Sequence, residues 1–166
     1  ENLFLNILND PRIHHILKQI YPKGYHCTTF SSNNLKKDVD NTGWHCDYPY
    51  HNLEQPYPEE TLGVQVIWSL DQFTEENGAT NYIPQSHKFR CFPHGKLEQV
   101  KVATIPQYNV ILYFGKLWHT QGINRTDKQR AALLANFAPL YVSAKNNDIV
   151  NQLSEDKLKN GQLRFD

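Results

Sequence analysis

Three residues of the chain, His45, Asp47 and His119, have the types and the spacing of a set of metal ligands. His45 and Asp47 are two residues apart in the predicted strand 44–48 (WHCDY), and residues two apart in a strand project from the same face. His119 follows the apolar run at 110–114 and is the best placed third ligand. Two imidazoles and one carboxylate leave three coordination positions open, which is typical of an oxygen-activating ferrous site and not of a closed structural zinc site.

The other histidines and Cys46 have simpler explanations. A lone His-x-Asp tripeptide is weak evidence in a chain with eight histidines, so the prediction also depends on the third ligand and on a cosubstrate site. His87 has no carboxylate two residues away, and we expect it to be structural. Cys46 lies between two predicted ligands but alternates to the opposite face of the strand, and its thiolate would suit zinc or copper better than an oxygenase iron.

A ferrous site with three open positions needs a source of two electrons. A 2-oxo acid supplies them when it chelates the metal and loses carbon dioxide, and its second carboxylate then needs a cation. Arg130 begins the last predicted strand, directly before the apolar run 131–134, so its guanidinium can reach inward and bind a carboxylate with two hydrogen bonds. The alternative is an ordinary arginine at a strand edge that faces water.

Two helices and a series of short strands must position these residues. Apolar residues recur at helical spacing between 3 and 20, with a break at 9–11, so we predict two short helices, the second beginning at Pro11 and capped by Asp10. After Gly24 the chain changes to β-rich runs bounded by turn residues, as in a sandwich or barrel, and the polar run 33–43 is expected to be a loop. The predicted strands cover residues 25–31, 44–48, 62–70, 79–84, 101–105, 110–114, 118–123 and 130–141.

Eight strands is the number of a jelly roll, and 166 residues fit one domain. We therefore expect an all-β core with flanking helices at both ends. The helical N-terminal segment covers 1–24 and the jelly-roll core 25–142. The C-terminal segment 143–166 is predicted to be a helix, because apolar residues recur at roughly helical spacing between 147 and 160.

The charge balance argues against polyanionic partners. Lysine plus arginine equals aspartate plus glutamate at 17 each, so no net field favours nucleic acid or an anionic membrane surface. No apolar stretch approaches the roughly 20 residues of a membrane-spanning helix. Three cysteines without CxxC spacing favour neither a disulfide framework nor a zinc knuckle, and we expect a protein of a reducing compartment, the cytoplasm. No feature of the sequence specifies an oligomeric state.

Six short motifs follow one another between residue 25 and about residue 141. They are WHCD at 44–47, LD at 70–71, NG at 77–78, IPQSHK at 83–88, WH at 118–119 and Arg130. In order, spacing and context they resemble the phytanoyl-CoA dioxygenase (PhyH-like) family of Fe(II)- and 2-oxoglutarate-dependent oxygenases. The resemblance implies a double-stranded β-helix in which His45, Asp47 and His119 bind Fe(II), Arg130 binds 2-oxoglutarate, and O2 is the second cosubstrate.

Some positions depart from the family pattern. Gln85 stands where relatives usually have glycine, which bears on a turn and not on the chemistry. Gln121 stands two residues after the distal histidine, where relatives often carry a hydroxyl that helps to hold the cosubstrate, and an amide can also donate a hydrogen bond. Gln65 and Ile67 are expected to alternate toward the iron, and Ile67 falls where some relatives stack an aromatic ring on the cosubstrate. Because Asp47 is present, the chain does not resemble the halogenating relatives, and hydroxylation is the expected outcome.

We therefore expect an Fe(II)- and 2-oxoglutarate-dependent dioxygenase that hydroxylates a small-molecule substrate. The substrate is expected to contact Tyr48, Tyr50, His51 and Tyr57 in the aromatic, proline-rich stretch after the metal ligands; the alternative there is a rigid turn whose rings pack on the sheet. Two other functions stay open. One is a non-catalytic cupin-like module that binds a metal or another ligand, and the other is a zinc hydrolase, although no general base accompanies the triad.

Overall fold

The structure is a computed structural model that describes residues 3–39 and 43–143. Two short helices, α1 (Leu3–Leu8) and α2 (Pro11–Ile20), precede the strands. Neither helix of these segments is long and apolar enough to cross a membrane. The strands are β1 (Tyr25–Leu35), β2 (Val64–Ser69), β3 (Asn81–Tyr82), β4 (Lys101–Val102), β5 (Val110–Phe114), β6 (His119–Thr120) and β7 (Arg130–Pro139).

The strands form two antiparallel sheets that face each other. The larger sheet has the order β1-β7-β2-β5 and the smaller one the order β4-β3-β6. Side chains of both sheets line one cavity between them, including Gln65 of β2 and His119 of β6. The prediction of an all-β jelly roll behind N-terminal helices, the double-stranded β-helix of the resemblance, is confirmed.

Both faces of the larger sheet are covered. All six residues of β2 are buried, because Val64, Val66 and Trp68 pack in the core below the helices while Gln65 and Ile67 line the cavity. The residues of β7 alternate in register with them. On the helix side, the β7 partners of Val64, Val66 and Trp68 are Phe137, Ala135 and Leu133.

The helices pack against the first of these faces. Asp10 caps α2 by accepting a hydrogen bond from Arg12 N at 2.9 Å, and Pro11 occupies the first helical position, as predicted. Leu17 is fully buried and belongs to the same apolar cluster as Phe137 of β7. This cluster holds one side of the larger sheet, so that the opposite side can carry polar groups.

The first strand is longer than predicted. The polar run that begins at Asn33 was expected to be a loop, but β1 continues to Leu35 because β7 supplies pairing partners as far as Arg130. Pairing with a neighbouring strand thus outweighs the low β propensity of the local sequence. The extension brings the Asn33 side chain to the wall of the cavity.

Residues 44–48 do not form the predicted strand. His45 makes a single antiparallel bridge with His119, and the chain then turns at Tyr48, where the following Pro49 has no N–H with which to continue a ladder. The described residues therefore contain one strand fewer than predicted. The predicted C-terminal helix lies outside the described residues except for Ser143.

Candidate metal centre

The three predicted metal ligands lie together beside the cavity. His45 and His119 face each other across their bridge, in which each backbone N–H donates to the other residue's carbonyl at 3.0 and 3.2 Å, and their ring centroids are 4.3 Å apart. The backbone N–H of Asp47 donates to Gly115 O at 2.7 Å. With the backbone held in this way, one potential ligand atom from each of the three side chains lies within 4.8 Å of the others.

Backbone carbonyls orient both imidazoles. His45 Nδ1 lies 2.9 Å from Gly43 O, and His119 Nδ1 lies 2.8 Å from Leu117 O. Because a carbonyl can only accept, each Nδ1 carries the hydrogen and the lone pair of the neutral ring is on Nε2. Both Nε2 atoms lie near the carboxylate of Asp47, so two nitrogen ligands and one oxygen ligand converge.

This donor set fits a divalent metal ion. The distance from Asp47 Oδ1 to His45 Nε2 is 3.8 Å, and that from Asp47 Oδ2 to His119 Nε2 is 3.6 Å. Two ligand atoms that are each about 2.1 Å from one metal are at most about 4.2 Å apart, so each of these two distances is short enough for one ion. The three ligand atoms as a group, within 4.8 Å of one another, would move slightly closer together on binding it. Asp47 Oδ2 is buried and has no hydrogen-bond partner among the described residues. A buried, unpaired carboxylate oxygen is costly unless a cation neutralises it.

The charges of the three ligands are coupled. Burial by itself raises the pKa of Asp47, but His119 and then His45 outweigh it, so the pKa of Asp47 is lowered. Burial by itself lowers the pKa of His119, but the Asp47 carboxylate outweighs it, so the pKa of His119 is raised. Burial, followed by the charge of His119, lowers the pKa of His45. His119 and Asp47 together therefore favour the binding of a proton on His119, and a metal ion would displace that proton.

Tyr113 of β5 also contacts this group. Its hydroxyl lies 3.1 Å from His119 Nε2, and the two ring centroids are 4.8 Å apart. Burial, followed by the negative charge of Asp47, raises the pKa of Tyr113 well above its ordinary value. The hydroxyl therefore stays protonated and remains a hydrogen-bond donor beside the metal ligands.

Arg130 is buried in the wall of the same cavity. Its Nη1 donates to Gly78 O at 2.6 Å and its Nη2 to Asn33 Oδ1 at 3.4 Å, while the guanidinium lies 4.1 Å from the centroid of the Phe73 ring. Nε is buried and has no partner in the described part of the chain. Burial lowers the pKa of Arg130 to about 10, so the group is cationic at neutral pH. A buried cation with an unused donor suits a carboxylate ligand.

The Asn-Gly motif builds the turn on which Arg130 depends. Asn77 Oδ1 accepts a hydrogen bond from Thr74 N at 2.8 Å. Gly78 has a φ of +80°, and a Cβ at this position would lie 2.6 Å from Leu35 Cδ2. Only glycine combines this φ with such close packing at no steric cost, so the motif places the Gly78 carbonyl where the guanidinium can bind it.

Gln121 lines the cavity with an amide that Asn33 orients. Asn33 Nδ2 donates to Gln121 Oε1 at 3.0 Å, while Asn33 Oδ1 accepts from Arg130. Because the Asn33 oxygen is used by a cation, its nitrogen faces Gln121, and Gln121 keeps its own NH2 group for the cavity. Gln121 can therefore donate where relatives often have a hydroxyl.

The cavity has a volume of about 150 Å³. The structure brings every predicted cosubstrate residue to its wall together with the metal ligands. These cosubstrate residues are Arg130, Gln121, Gln65 and Ile67. No observation assigns a ligand to them, so their binding roles remain predictions.

A second cavity of about 260 Å³ adjoins the first. The two share four lining residues, which are His45, Asp47, Gln65 and Leu134. Two of the four predicted substrate residues, Tyr48 and His51, line this second cavity.

Tyr50 and Tyr57 lie elsewhere, and their predicted substrate contact is corrected here. Both are almost fully buried and pack with Cys46 and Trp118 in an apolar cluster, with the two tyrosine rings 5.4 Å apart. The Tyr50 hydroxyl accepts a hydrogen bond from Leu62 N at 2.7 Å. Their rings fix the turn after the metal ligands, because burying aromatic surface with a satisfied hydroxyl stabilises it. Cys46 packs in this cluster and contributes no atom to the group of potential metal ligands.

The departure at Gln85 has a backbone explanation. Gln85 has a φ of +64°, in the left-handed region that glycine adopts at least cost. Gln85 lines neither of the two cavities. The usual glycine of the family thus suits the turn, and the glutamine here leaves the two cavities unchanged.

Sequence reasoning did not identify Asn33, Tyr113 or Phe73. Residues 28–34 (TTFSSNN) are polar at every position except Phe30, so no alternation marked Asn33 as a residue of one strand face. Tyr113 and Phe73 carry no signal either, since aromatic residues in or near strands are usually core residues.

Comparisons with known proteins identify the family to which this chain is similar. The model of the phytanoyl-CoA dioxygenase (PhyH) family matches residues 2–132. Dioxygenase af480 of Aspergillus fumigatus is 30% identical over 125 residues, which are 72% of this chain and 40% of that protein. Dioxygenase FUM3 of Gibberella moniliformis is 41% identical over 96 residues, which are 58% of this chain and 32% of that protein. The matches to these curated relatives thus span less than half of their length.

A solved structure shares the fold. HygX from Streptomyces hygroscopicus, with nickel and 2-oxoglutarate bound, superposes with a TM-score of 0.72 at 14% identity, over 88% of this chain and 71% of that chain. This likeness supports the jelly-roll architecture.

Proposed function

This chain belongs to the phytanoyl-CoA dioxygenase family, and from that premise we propose that it is an Fe(II)- and 2-oxoglutarate-dependent dioxygenase that hydroxylates a small molecule. One observation carries the proposal. A single cavity contains a buried carboxylate oxygen without a hydrogen-bond partner, Asp47 Oδ2, and a buried guanidinium N–H without a hydrogen-bond partner, Arg130 Nε, in the described part of the chain. The first suits a cation and the second an anion, as a metal ion with a carboxylate cosubstrate requires.

His45, Asp47 and His119 would hold Fe(II) through two Nε2 atoms and the carboxylate. When bound, Fe(II) and 2-oxoglutarate together reduce O2, release succinate and carbon dioxide, and supply the oxidant for hydroxylation. The protein contributes ligand orientation through the Gly43 and Leu117 carbonyls, which keep both Nε2 atoms available. Such pre-orientation lowers the cost of assembling the site.

Arg130 would bind the distal carboxylate of 2-oxoglutarate, with Gln121 as a second donor. The Phe73 ring and the Gly78 carbonyl hold the guanidinium in the cavity wall, so little side-chain entropy is lost on binding. Tyr113 supplies a neutral hydroxyl beside the metal ligands. Ile67 provides an apolar wall that excludes water from the cosubstrate.

The test is a visible spectrum of protein purified without oxygen and mixed with Fe(II) and 2-oxoglutarate. We expect the weak charge-transfer band of an Fe(II)–2-oxoglutarate chelate. His119→Ala and Arg130→Ala should lose the band, whereas the matched variants His94→Ala and Arg125→Ala, at exposed positions, should keep it. Bound iron without the band would contradict the proposal and favour a non-catalytic cupin-like module. Hydrolytic activity that depends on zinc and not on 2-oxoglutarate would favour a hydrolase.

We also propose a small-molecule substrate and a cytoplasmic location. Membership of the family supports the first, and three cysteines without a disulfide support a reducing compartment. Consumption of 2-oxoglutarate with candidate compounds, followed by fractionation of the source cells, tests both.

A further inference from the structure

We infer that the second cavity binds an uncharged part of the substrate that carries a hydrogen-bond acceptor, with Gln65 as the donor and Asn136 as the residue that orients Gln65. This inference rests on the proposed function, because the second cavity shares its walls with the metal ligands. It names the chemistry of the substrate, which neither the family nor the metal centre specifies.

The second cavity has few charged side chains in its lining. Apart from the metal ligands, its polar lining consists of neutral hydroxyl and amide groups with a tyrosine and a histidine. These residues are Thr29, Ser31, Tyr48, His51, Gln65 and Asn136. Within the described ranges no lysine, arginine or further carboxylate lines it. Asp47 is the one carboxylate of its described lining, and a bound metal ion would neutralise it, so an anionic or cationic group entering this space would lose water without gaining a free countercharge, which is unfavourable.

The orientation of Asn136 follows from a backbone carbonyl. Asn136 is buried, and its side-chain nitrogen lies 3.4 Å from Tyr48 O. A carbonyl can only accept, so the NH2 group of Asn136 must face it. Its Oδ1 accepts from the Thr28 hydroxyl at 2.9 Å, which satisfies the other end of the amide. Asn136 therefore has one favoured orientation.

Asn136 in turn fixes the orientation of Gln65. Asn136 Nδ2 donates to Gln65 Oε1 at 3.3 Å. The Gln65 oxygen is thus used inside the protein, and Gln65 Nε2 makes no hydrogen bond with any described residue. Gln65 borders both cavities, so this NH2 group is a donor directed to the space beside the metal ligands. We assign it to the substrate and not, as predicted from the sequence, to the cosubstrate, because Asn136, which orients it, lines the second cavity and not the first. A carbonyl, ether or hydroxyl oxygen of the substrate would satisfy it.

The walls of the second cavity suit a flat or compact group. The Tyr48 and His51 rings lie 6.0 Å apart, and Tyr48 is held by a hydrogen bond from its hydroxyl to Ser143 O at 2.7 Å. A volume of about 260 Å³ is slightly below the range of complete ligand pockets. We therefore expect the cavity to hold one end of the substrate, the end that carries the reacting carbon.

The test uses nuclear magnetic resonance of the Zn(II)-loaded protein with 2-oxoglutarate present, and follows the side-chain NH2 signals of Gln65 and Asn136. The probes are methyl benzoate, which only accepts hydrogen bonds, indole, which only donates, and the charged pair benzoate and benzylammonium. We expect methyl benzoate to shift the Gln65 NH2 signal and to bind at least about tenfold more tightly than benzoate or benzylammonium, because the cavity offers no countercharge. Equal or tighter binding of benzoate at Gln65 would overturn the inference, as would the failure of methyl benzoate to shift this signal.

Two substitutions at Gln65 test the donor itself. Gln65→Leu should weaken methyl benzoate by about three- to tenfold, the value of one neutral hydrogen bond. Gln65→Glu replaces the donor by an acceptor of the same shape, so the preference should change from methyl benzoate to indole and benzylammonium. A general loss of structure cannot produce this inversion. If both variants retain the preferences of the unmodified protein, Gln65 is not the donor.

Asn136 is tested as a positioning residue. Asn136→Ala should release the Gln65 amide, which lowers the order of its NH2 group in relaxation measurements and weakens methyl benzoate. Asn34→Ala, at an exposed position of β1, is the matched control and should change neither. Unchanged Gln65 order in Asn136→Ala would refute the positioning role. Binding of 2-oxoglutarate is followed separately, through the NMR signals of the Gln121 and Arg130 side chains. A failure of the proposed function is therefore distinguishable from a failure at Gln65.

Discussion

The two faces of β2 and β7 share one backbone but carry different chemistry. The helix-side face consists of Val64, Val66 and Trp68 with their β7 partners, in one apolar cluster with α2. The cavity-side face carries Gln65, Ile67 and the buried groups of β7. Alternation along the strands therefore separates stability from ligand binding at spacings of one residue.

The two faces differ in how burial affects the stability of the fold. On the helix side most of the buried side-chain surface is apolar, although Trp68 Nε1 is buried there without a hydrogen-bond partner among the described residues, so burial itself stabilises the fold. On the cavity side, Arg130 is buried with a donor, Nε, that has no hydrogen-bond partner among the described residues. Both ends of the Asn136 amide make hydrogen bonds with other polar side chains. Such groups add little stability and fix the positions of donors and acceptors instead. Substitutions on the two faces should thus affect different measurements.

The largest effect is expected on the helix side, from Phe137→Ala. Phe137 is fully buried, and its removal leaves a cavity between α2 and the sheet. We expect the free energy of unfolding to fall by about 3–5 kcal/mol, measured by urea denaturation with Phe89→Ala, at a 55% exposed position, as the control. A loss below about 1 kcal/mol would show that the helices do not depend on this face.

Arg130→Met tests the opposite behaviour on the cavity side. The affinity for 2-oxoglutarate should fall by about 1.5–3 kcal/mol, the range for a hydrogen bond to a charged group. The free energy of unfolding should change by less than about 1 kcal/mol, because an unpaired buried donor is removed along with the bonds. Calorimetric titration and denaturation of the same variant measure both, with Arg125→Met as the control. A large loss of stability with unchanged affinity would reverse the assignment of the two faces.

Gly78→Ala tests the close packing that supports Arg130. Gly78 and Gly95 both have positive φ, at +80° and +69°, but an added Cβ at Gly78 meets the backbone oxygen of Gly122 at 2.7 Å and Leu35 Cδ2 at 2.6 Å, whereas at Gly95 it finds open space. The backbone cost should be similar in both alanine variants, so their difference isolates the collision. We expect Gly78→Ala to be less stable than Gly95→Ala by about 1–3 kcal/mol, with weaker 2-oxoglutarate binding. Equal stability would show that the turn can move without affecting the cavity.

The smallest effect concerns pH and is expected on the cavity side alone. The pKa of His119 is raised by Asp47, so below that pKa a proton occupies the group that must bind metal. Metal affinity should rise with pH by about tenfold per unit, or about 1.4 kcal/mol, until His119 is deprotonated, and then level off. The slope is measured by Zn(II) titrations between about pH 5.5 and 8, the range in which an ordinary histidine titrates. A flat profile would show that no proton is displaced.

Sequence reasoning recovered the elements that follow local rules. The N-terminal cap of α2, the bounds of β5 and the alternation of β2 follow from spacing and residue type over a few positions. The metal set could be named because two of its members, His45 and Asp47, are two residues apart and the third lies in a separate motif. The failures are equally local in origin, since polar residues suggested a loop where β7 extends β1.

By itself, the sequence determined the chemical types at the site: two imidazoles, one carboxylate and one guanidinium. The tertiary structure alone decided how the neutral groups around them are used. Asn33 makes hydrogen bonds with Gln121 and Arg130, which are 88 and 97 positions away in the sequence. Asn136 makes one with Gln65, which is 71 positions away. An amide is symmetric in shape and differs only in which end donates, so its role depends on a partner fixed by folding. Tyr50 and Tyr57 are likewise buried and do not lie on the predicted substrate surface. Packing partners that are distant in sequence decide whether an aromatic ring is buried.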